Sequence, residues 1–399
     1  MSNKEIMDGI IKSNQEHIIA IRELIHEHPE LSFKEYKTSE LVRKELTRLG
    51  IKYENSTVEN GIVAEIDSGR PGKLLLLRAD MDALPIQEET SCKYKSKVDN
   101  VMHACGHDIH TANLLGVGHV LNEMKDQWRG RIKLVFQPAE EAGGGGGKMI
   151  KAGLMDQVPD ACFALHVSDE KLGHITAGSK YLTSYSDRFL VSFNGQAAHS
   201  STPEKGIDAI EMAISAISSL KNVVTSNLNP LDVSALNIGK INGGTAPNII
   251  PSQVSIDMMM RNKTQSSRDR LAERIEKICK STAEMYEGTC DFKRIYGYDA
   301  VYNDEDLTDF IVDKIKLNKD LLYDNLSSDQ VDAMIQTGDQ FDLRSEDFGY
   351  YSQVAPSTLL WVGLGEGAEL HKPNFYVDSK NIVFATKLMS LVAFDYLSQ

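Results

Sequence analysis

The sequence predicts an α/β protein: a mixed, mostly parallel sheet covered by helices and interrupted by an inserted α+β domain. Three observations lead there. The chain has 399 residues, more than one compact core usually covers, so two domains are the expectation. From about residue 60 to 178, and again near the end, short continuous apolar runs alternate with helix-like segments, the pattern of buried parallel strands joined by crossover helices. Between roughly 180 and 295 the order becomes β-α-β-β-α-β, the split-βαβ arrangement of a ferredoxin-like domain.

Taken in order, "KLLLLRAD" (73–80) reads as a central strand and the text after His107 as a helix. "RIKLVFQ" (131–137), "DACFALH" (160–166) and "STLLWVGLG" (357–365) read as further buried strands. In the insert, strand-like "RFLVSFNG" (188–195) precedes a helix carrying Ile207, Ile210, Ile214 and Ile217 at helical spacing. Strands "VSALNIGKI" (233–241) and "QVSIDMMMR" (253–261), a charged helix over about 266–286 and a final "CDFKRIYG" (290–297) complete it. The expected domains are therefore 1–178 with 296–399, and an inserted 179–295.

Charge and composition narrow the function. There are 43 basic against 57 acidic residues, a net charge of −14, which argues against binding nucleic acid or an anionic membrane, since both need a basic face. The opening "MSNKEIMDGIIKSNQEH" lacks the basic-then-apolar layout of a secretory signal, and runs such as "LLLL" (74–77) are too short to span a bilayer. A cytoplasmic protein is expected. The cysteines, Cys92, Cys105, Cys162, Cys279 and Cys290, are odd in number and widely spread, unlike a disulfide framework.

Cys105 stands apart from the others. It lies in "MHACGHDIHTA" (102–112), which crowds three histidines, a cysteine and an aspartate together. Cys105 and His107, separated by one residue, suit a shared metal ion but cannot close a site that wants about four donors. Further donors recur just past the C-terminal ends of the expected strands: Asp80 and Asp82, Glu140 and Glu141, His166, and His371. That edge of an open α/β sheet is where sites form. Cys105, His107, Glu141, His166 and His371 make five donors, too many for one tetrahedral ion and suited to two ions sharing a carboxylate. Ions roughly 3.5–4 Å apart activate water and stabilise the oxyanion formed when an amide is hydrolysed. In an extended "PAEE" successive side chains point oppositely, so Glu141 faces a metal and Glu140 serves as general base. Asp82 is expected to orient a ligating histidine.

Other features carry blander readings. The "GGGGG" run (143–147) before Lys148 fails as a phosphate loop because Met149 stands where a Ser or Thr is needed. It reads instead as a glycine lead-in to a helix where backbone passes close to the metals. His103, His110 and His119 read as helix-facing or supporting residues. His26 and His28, ending a helix before Pro29, read as surface.

"RADMDALP", "MHACGHDIHTA", "QPAEE", "LHV" and "LHKPNF", in this order, resemble bacterial and plant amidohydrolases of the aminoacylase/carboxypeptidase family of co-catalytic metallopeptidases. That group includes indoleacetyl-amino-acid hydrolases, hippurate hydrolases and N-acyl-amino-acid deacylases. The resemblance implies a zinc-exopeptidase-like catalytic domain with an inserted lid and dimerisation domain. It implies metal ligation by Cys105, His107, Glu141, His166 and His371, with Glu140 as base. It also implies that His199, Asn248 and Arg261 grip the substrate, with the lids of a homodimer pairing through an edge strand and helix. In that arrangement His199 and Asn248 serve the neighbour's site and Arg261 its own; a tetramer is the further option. Arg261 lies on the Ser255 and Asp257 side of its strand, opposite Val254, Ile256, Met258 and Met260. Two departures stand out. Asp80 occupies a place where wider relatives carry a metal-binding histidine, and Glu204 replaces the second histidine of the family's lid motif.

The expected activity is hydrolysis of amide bonds in N-acyl amino acids or short peptides, using two divalent ions per subunit. The thiolate favours zinc; manganese, cobalt or nickel fit the same donors. The alternatives are an amino-, carboxy- or dipeptidase on short peptides, and a metal-stabilised binding protein without turnover. A purely structural site has no use for Glu140 beside Glu141.

Overall fold

The computed structural model describes residues 2–323, 326–365 and 369–399. The chain divides into two compact units. One comprises Met1–Leu182, Val301–Gln340 and Asp347–Gln399; the other comprises Thr183–Ala300 and Phe341–Glu346. No helix among the described residues is long and apolar enough to cross a membrane.

The first unit is built on an eight-stranded sheet in the order Lys52–Asn55, Ile62–Asp67, Arg131–Gln137, Leu74–Asp80, Ala161–Ser168, Ser357–Gly363, Ile175–Gly178, Ile335–Gly338. Its four central strands, from Arg131–Gln137 to Ser357–Gly363, are mutually parallel. Leu74–Asp80, Ala161–Ser168 and Ser357–Gly363 are buried at every position, which is why they read as unbroken apolar runs. Nearer the edge, Ile62–Asp67 alternates between buried and partly exposed residues and pairs antiparallel on both sides. The helix His107–Glu123 is buried along most of its length and packs against Asn3–Glu27 and Ile382–Leu397. Parallel alignment brings the C-terminal ends of four adjacent strands to one rim.

The second unit holds a four-stranded antiparallel sheet in the order Ser234–Gly243, Gln253–Asn262, Tyr185–Asn194, Thr289–Tyr296. Helices Ala209–Leu220 and Gln265–Met285 pack on it. Along Gln253–Asn262 the buried residues Val254, Ile256, Met258 and Met260 alternate with more exposed ones, so one face of the strand meets the helices.

One expectation changes here: Ile207 lies before the helix expected to carry it, and Ile207 and Ile217 pack against the core while Ile210 and Ile214 are exposed. Asp208 caps a helix that begins at Ala209, and Ala209, Met212, Ala213, Ala216 and Leu220 are buried while Ile214 is 59% exposed. Three of these buried positions are alanines, with Met212 and Leu220 filling the space between helix and sheet. The glycine run does begin a helix, Gly145–Lys151, whose first N–H donates to the Ala139 carbonyl at 3.0 Å. A Cβ on Gly145 would lie 1.7 Å from the Pro138 carbonyl oxygen, and one on Gly146 would lie 2.8 Å from Gln137 Oε1.

This contrast predicts opposite outcomes for one kind of substitution. Gly145→Ala is expected to lower the unfolding free energy by about 1–3 kcal/mol, because a backbone carbonyl cannot move aside. Gly9→Ala, in helix Asn3–Glu27 with nothing within 4 Å of its Cβ, is expected to raise it by up to about 1 kcal/mol. Urea unfolding of both variants checks the signs.

Candidate active site

The site grows from the turn between Cys105 and His107. Gly106 caps helix His107–Glu123 in the left-handed region, at φ 81°. A Cβ there would lie 2.3 Å from Val167 Cγ2, so only glycine lets the chain turn against that strand. Cys105 and His107 are thereby presented together. The Cys105 Sγ lies 3.5 Å from His166 Nε2 and 3.2 Å from His371 Nε2. Glu141 Oε1 is 3.5 Å from His371 Nε2 and 4.0 Å from His107 Nε2. The donor atoms of Cys105, His107 and His166 lie within 4.8 Å of one another, as do those of Cys105, Glu141 and His371. Four segments distant in sequence thus meet on one rim. His371 reaches it from a left-handed backbone, φ 64°, held by its N–H donating to the Ala104 carbonyl at 2.8 Å.

Hydrogen bonds fix which ring nitrogens face the cluster. His166 donates Nδ1–H to the Val167 carbonyl at 2.7 Å, leaving Nε2 toward Cys105. Burial, with His110 nearby, lowers the His166 pKa well below the ordinary value, so a neutral ring offers its lone pair. His107 donates Nδ1–H to Asp82 Oδ1 at 3.3 Å, leaving its Nε2 toward the cluster. His110 uses both nitrogens, with Nδ1 on Asp80 Oδ1 at 2.6 Å and Nε2 accepting from the Val167 N–H at 2.9 Å. It supports the cluster and offers no free donor.

The expectation of an extended "PAEE" is overturned. Ala139 is left-handed, φ 57°, and a bend follows, so the Glu140 and Glu141 carboxylates converge with His107 within 4.8 Å instead of pointing oppositely. Asp82 holds this turn by accepting from the Glu140 and Glu141 N–H groups at 3.0 Å each and from the Ser32 hydroxyl at 2.6 Å. Glu140 Oε1 in turn accepts from the Asp347 N–H at 3.4 Å.

Electrostatics show what the cluster wants. Burial alone would lower the His107 pKa, but Asp80, Asp82 and Glu141 outweigh it and raise it to about 10. Burial lifts Glu141 to about 7. Burial and the carboxylates of Glu141, Glu140 and Asp80 push the Cys105 thiol well up. Concentrated negative charge is therefore recruiting protons. Even so, His107 Nε2 and Glu141 Oε1 are buried without a hydrogen-bond partner. Buried polar atoms are rarely left so, and divalent cations among these donors would satisfy both the orphaned atoms and the charge. Asp80 is differently placed. Burial opposes its ionisation, but Arg78 and two histidines hold its pKa well below the usual range, and its oxygens are taken by Arg78 at 2.6 Å and His110.

Several supporting residues escaped the sequence reading. Arg78 bridges Asp80 and Asp347, the latter at 2.6 Å, and Gln137 donates to both Asp347 oxygens at 2.8 Å. An arginine inside an apolar strand was a signal, since a buried charge requires a partner; Asp347 carried none. Glu35, fully buried, accepts from the N–H groups of Phe33 and Ala139 at 2.9 Å and from Asn60 at 3.2 Å. The surface reading of His26 is also wrong. It is buried, with Nδ1 2.8 Å from Asp108 Oδ2, because its helix end packs beneath the first turn of His107–Glu123.

In the second unit, the short strand Ala198–His199 pairs with Ile249–Ile250, and Ser200 N–H donates to the Asn248 carbonyl at 3.1 Å. His199 and Asn248 are thus neighbours, and His199 is exposed with Nδ1 2.7 Å from Ser201 Oγ. Arg261 donates to the Leu343 carbonyl at 3.0 Å and to Ser345 Oγ at 2.7 Å. Glu204 is exposed in a short 3-10 turn, Pro203–Lys205.

The Glu35 contacts yield a prediction. Glu35→Ala strips the acceptor from the buried Ala139 N–H and frees the left-handed turn before Glu140. Stability should fall by about 1–3 kcal/mol for the orphaned group, and turnover should fall more than substrate affinity. Calorimetry and steady-state kinetics on the variant read both effects.

The chain matches the model of peptidase family M20/M25/M40 over residues 76–395. It is 34% identical to an N-acetyl-L-cysteine deacetylase of Bacillus subtilis, over 93% of this chain and 86% of that protein. It is 36% identical to thermostable carboxypeptidase 1 of Saccharolobus solfataricus, over 90% and 88%. The crystal structure of a dinuclear metal binding peptidase of family M20 from Bacillus subtilis superposes with a TM-score of 0.81, at 29% identity and 97% and 99% coverage. With its parallel-sheet rim of convergent His, Cys and carboxylate donors, this chain belongs to peptidase family M20/M25/M40 and is a metallo-hydrolase of amide or peptide bonds.

Proposed function

We propose that the chain hydrolyses N-acyl amino acids, with two zinc ions held by Cys105, His107, Glu141, His166 and His371, and with Glu140 as general base. The observation that carries this reading is the pair of orphaned buried atoms, His107 Nε2 and Glu141 Oε1, amid an excess of negative charge. A thiolate among imidazoles and carboxylate suits zinc. When bound, two such cations polarise the amide carbonyl and lower the pKa of a water.

The chain's own residues do the rest. Asp82 keeps His107 in the tautomer whose Nε2 faces the donors. Glu140 takes the proton from the attacking water and delivers it to the amide nitrogen as the C–N bond breaks. Its backbone N–H on Asp82, and the Asp347 N–H on Oε1, limit where that carboxylate can swing. His199, Asn248 and Arg261 grip the substrate's carbonyl and carboxylate. The deacetylase relative supports an acyl amino acid as substrate; the carboxypeptidase relative supports short peptides as a second reading.

We further propose a cytoplasmic homodimer formed through the second unit. The five cysteines are all free, as a reducing compartment requires. Strand Ser234–Gly243 is an edge of its sheet with Ile241 53% exposed, and Ile210 and Ile214 are exposed on the neighbouring helix surface. Long edges with apolar side chains are normally covered. In this dimer His199 and Asn248 complete the partner's site.

Two outcomes test these proposals. Metal-depleted protein should regain hydrolysis of N-acetyl amino acids on addition of zinc, and Glu140→Gln should keep its metal while losing about 10²–10⁴-fold in turnover. Loss of metal from Glu140→Gln, with retention in Glu141→Gln, would reverse the two roles. For the dimer, inactive His199→Ala and Glu140→Ala chains are refolded together. About half the dimers are then mixed, each with one intact site of two, so roughly a quarter of the original activity returns. A mixture no more active than its parents, with exchange verified by mass, places His199 in its own chain's site or outside catalysis.

A further inference from the structure

Away from the donors of the active site, the first unit buries a second group with metal-ligating chemistry. His26 ends the N-terminal helix, Glu88 is fully buried in the segment after Leu84, and Cys92 follows four residues later. Their donor atoms lie within 4.8 Å of one another. His26 Nε2 is 3.4 Å from Glu88 Oε2, and Cys92 Sγ is 3.6 Å from Glu88 Oε1. Zinc bonds of about 2.0–2.3 Å put tetrahedral donors about 3.3–3.8 Å apart, and both distances fall in that range.

A second observation points the same way. His26 is 2% exposed, and its Nε2 lacks a hydrogen-bond partner. The ring is held from behind as His107 is: Nδ1 sits 2.8 Å from Asp108 Oδ2, which leaves Nε2 directed at Glu88. A carboxylate behind a histidine is the usual support for a metal-bound imidazole. Asp108 is itself neutralised by Arg22, whose Nε lies 2.8 Å from the same oxygen. The Arg22 charge still bears on the group, disfavouring a protonated His26 and favouring a thiolate at Cys92. The carboxylate of Glu88 and a thiolate at Cys92 would supply two negative charges, matching one divalent cation.

We propose that His26, Glu88 and Cys92 form a further binding site for one zinc-type divalent cation. A water completes its coordination on the side where Cys92 is partly exposed. The bound ion ties the end of helix Asn3–Glu27 to the segment around residues 88–96. Through Asp108 it also braces the first turn of His107–Glu123. Binding displaces the thiol proton from Cys92 and the Nε2 proton that Asp108 and Glu88 favour on His26, so uptake strengthens as pH rises.

The site is tested by cobalt titration of the metal-depleted full-length protein beside Cys92→Ser and, as a second variant, Glu88→Gln. The unaltered chain should take up one equivalent more than either variant. In Cys92→Ser the near-ultraviolet thiolate-to-cobalt absorption should fall by the share of one thiolate, with turnover at saturating metal unchanged. Zinc should also raise the melting temperature of the unaltered chain further than that of Cys92→Ser. Equal stoichiometry and equal absorption in the unaltered chain and both variants would overturn the proposal and leave His26 as an imidazolium bridging Asp108 and Glu88. Because the readout is a difference between chains that share the active site, it stands apart from the identity of the substrate.

Discussion

Buried carboxylates set the terms for this fold. Asp80, Asp82, Asp108, Glu35, Glu140 and Asp347 all lie in the interior of the first unit, and a buried anion is tolerated only where counter-charge and hydrogen bonds replace water. Arg78 answers Asp80 and Asp347, and Arg22 answers Asp108. Backbone amides answer Asp82 and Glu35. The residual demand falls on His107 and Glu141, where a proton in one case is held far above its ordinary affinity. The same imbalance that would destabilise an ordinary core makes this rim a place for cations.

Geometry follows from the same constraint. Four parallel strands end together at the rim, and carboxylate-to-amide hydrogen bonds hold the turn that leaves Arg131–Gln137. Asp82 alone takes the His107 ring, the Ser32 hydroxyl and two successive backbone N–H groups. It therefore couples the tautomer of a donor histidine to the position of both glutamates. Glu35 acts one step further out, on the Ala139 amide. A donor set held in this way keeps its geometry without relying on the flexible ends of long side chains, as preorganised catalysis requires.

The central strands were legible because burial on both faces leaves a continuous apolar record, and the β-α-β-β-α-β order of the insert was legible from its changes of period. The donors were legible because cysteine, histidine and paired carboxylates at strand ends are costly to place without purpose. The insert's helix was read as carrying Ile207, but Asp208 caps it and it begins at Ala209, because the side chain of Asp208 accepts from the Ile210 and Glu211 N–H groups. His26 was misread because its partner Asp108 lies 82 residues away, and nothing local announces that a helix end will be covered.

By itself, the sequence determined the chemistry available and the elements that carry it: parallel strands, their order of hydrophobic runs, and donors at their ends. These are local properties, written in residue type and spacing. Only the tertiary structure decided that Glu140 and Glu141 converge. Their directions depend on a left-handed Ala139 held by Glu35, 104 residues distant. The tertiary structure also decided that Asp80 is spent on Arg78 and His110, and that His26 meets Glu88 and Cys92. The Glu35 bond to Ala139 and the approach of His26 to Glu88 join residues far apart in the chain, and no periodicity records them; Arg78 stands two residues from Asp80, but His110 lies 30 away.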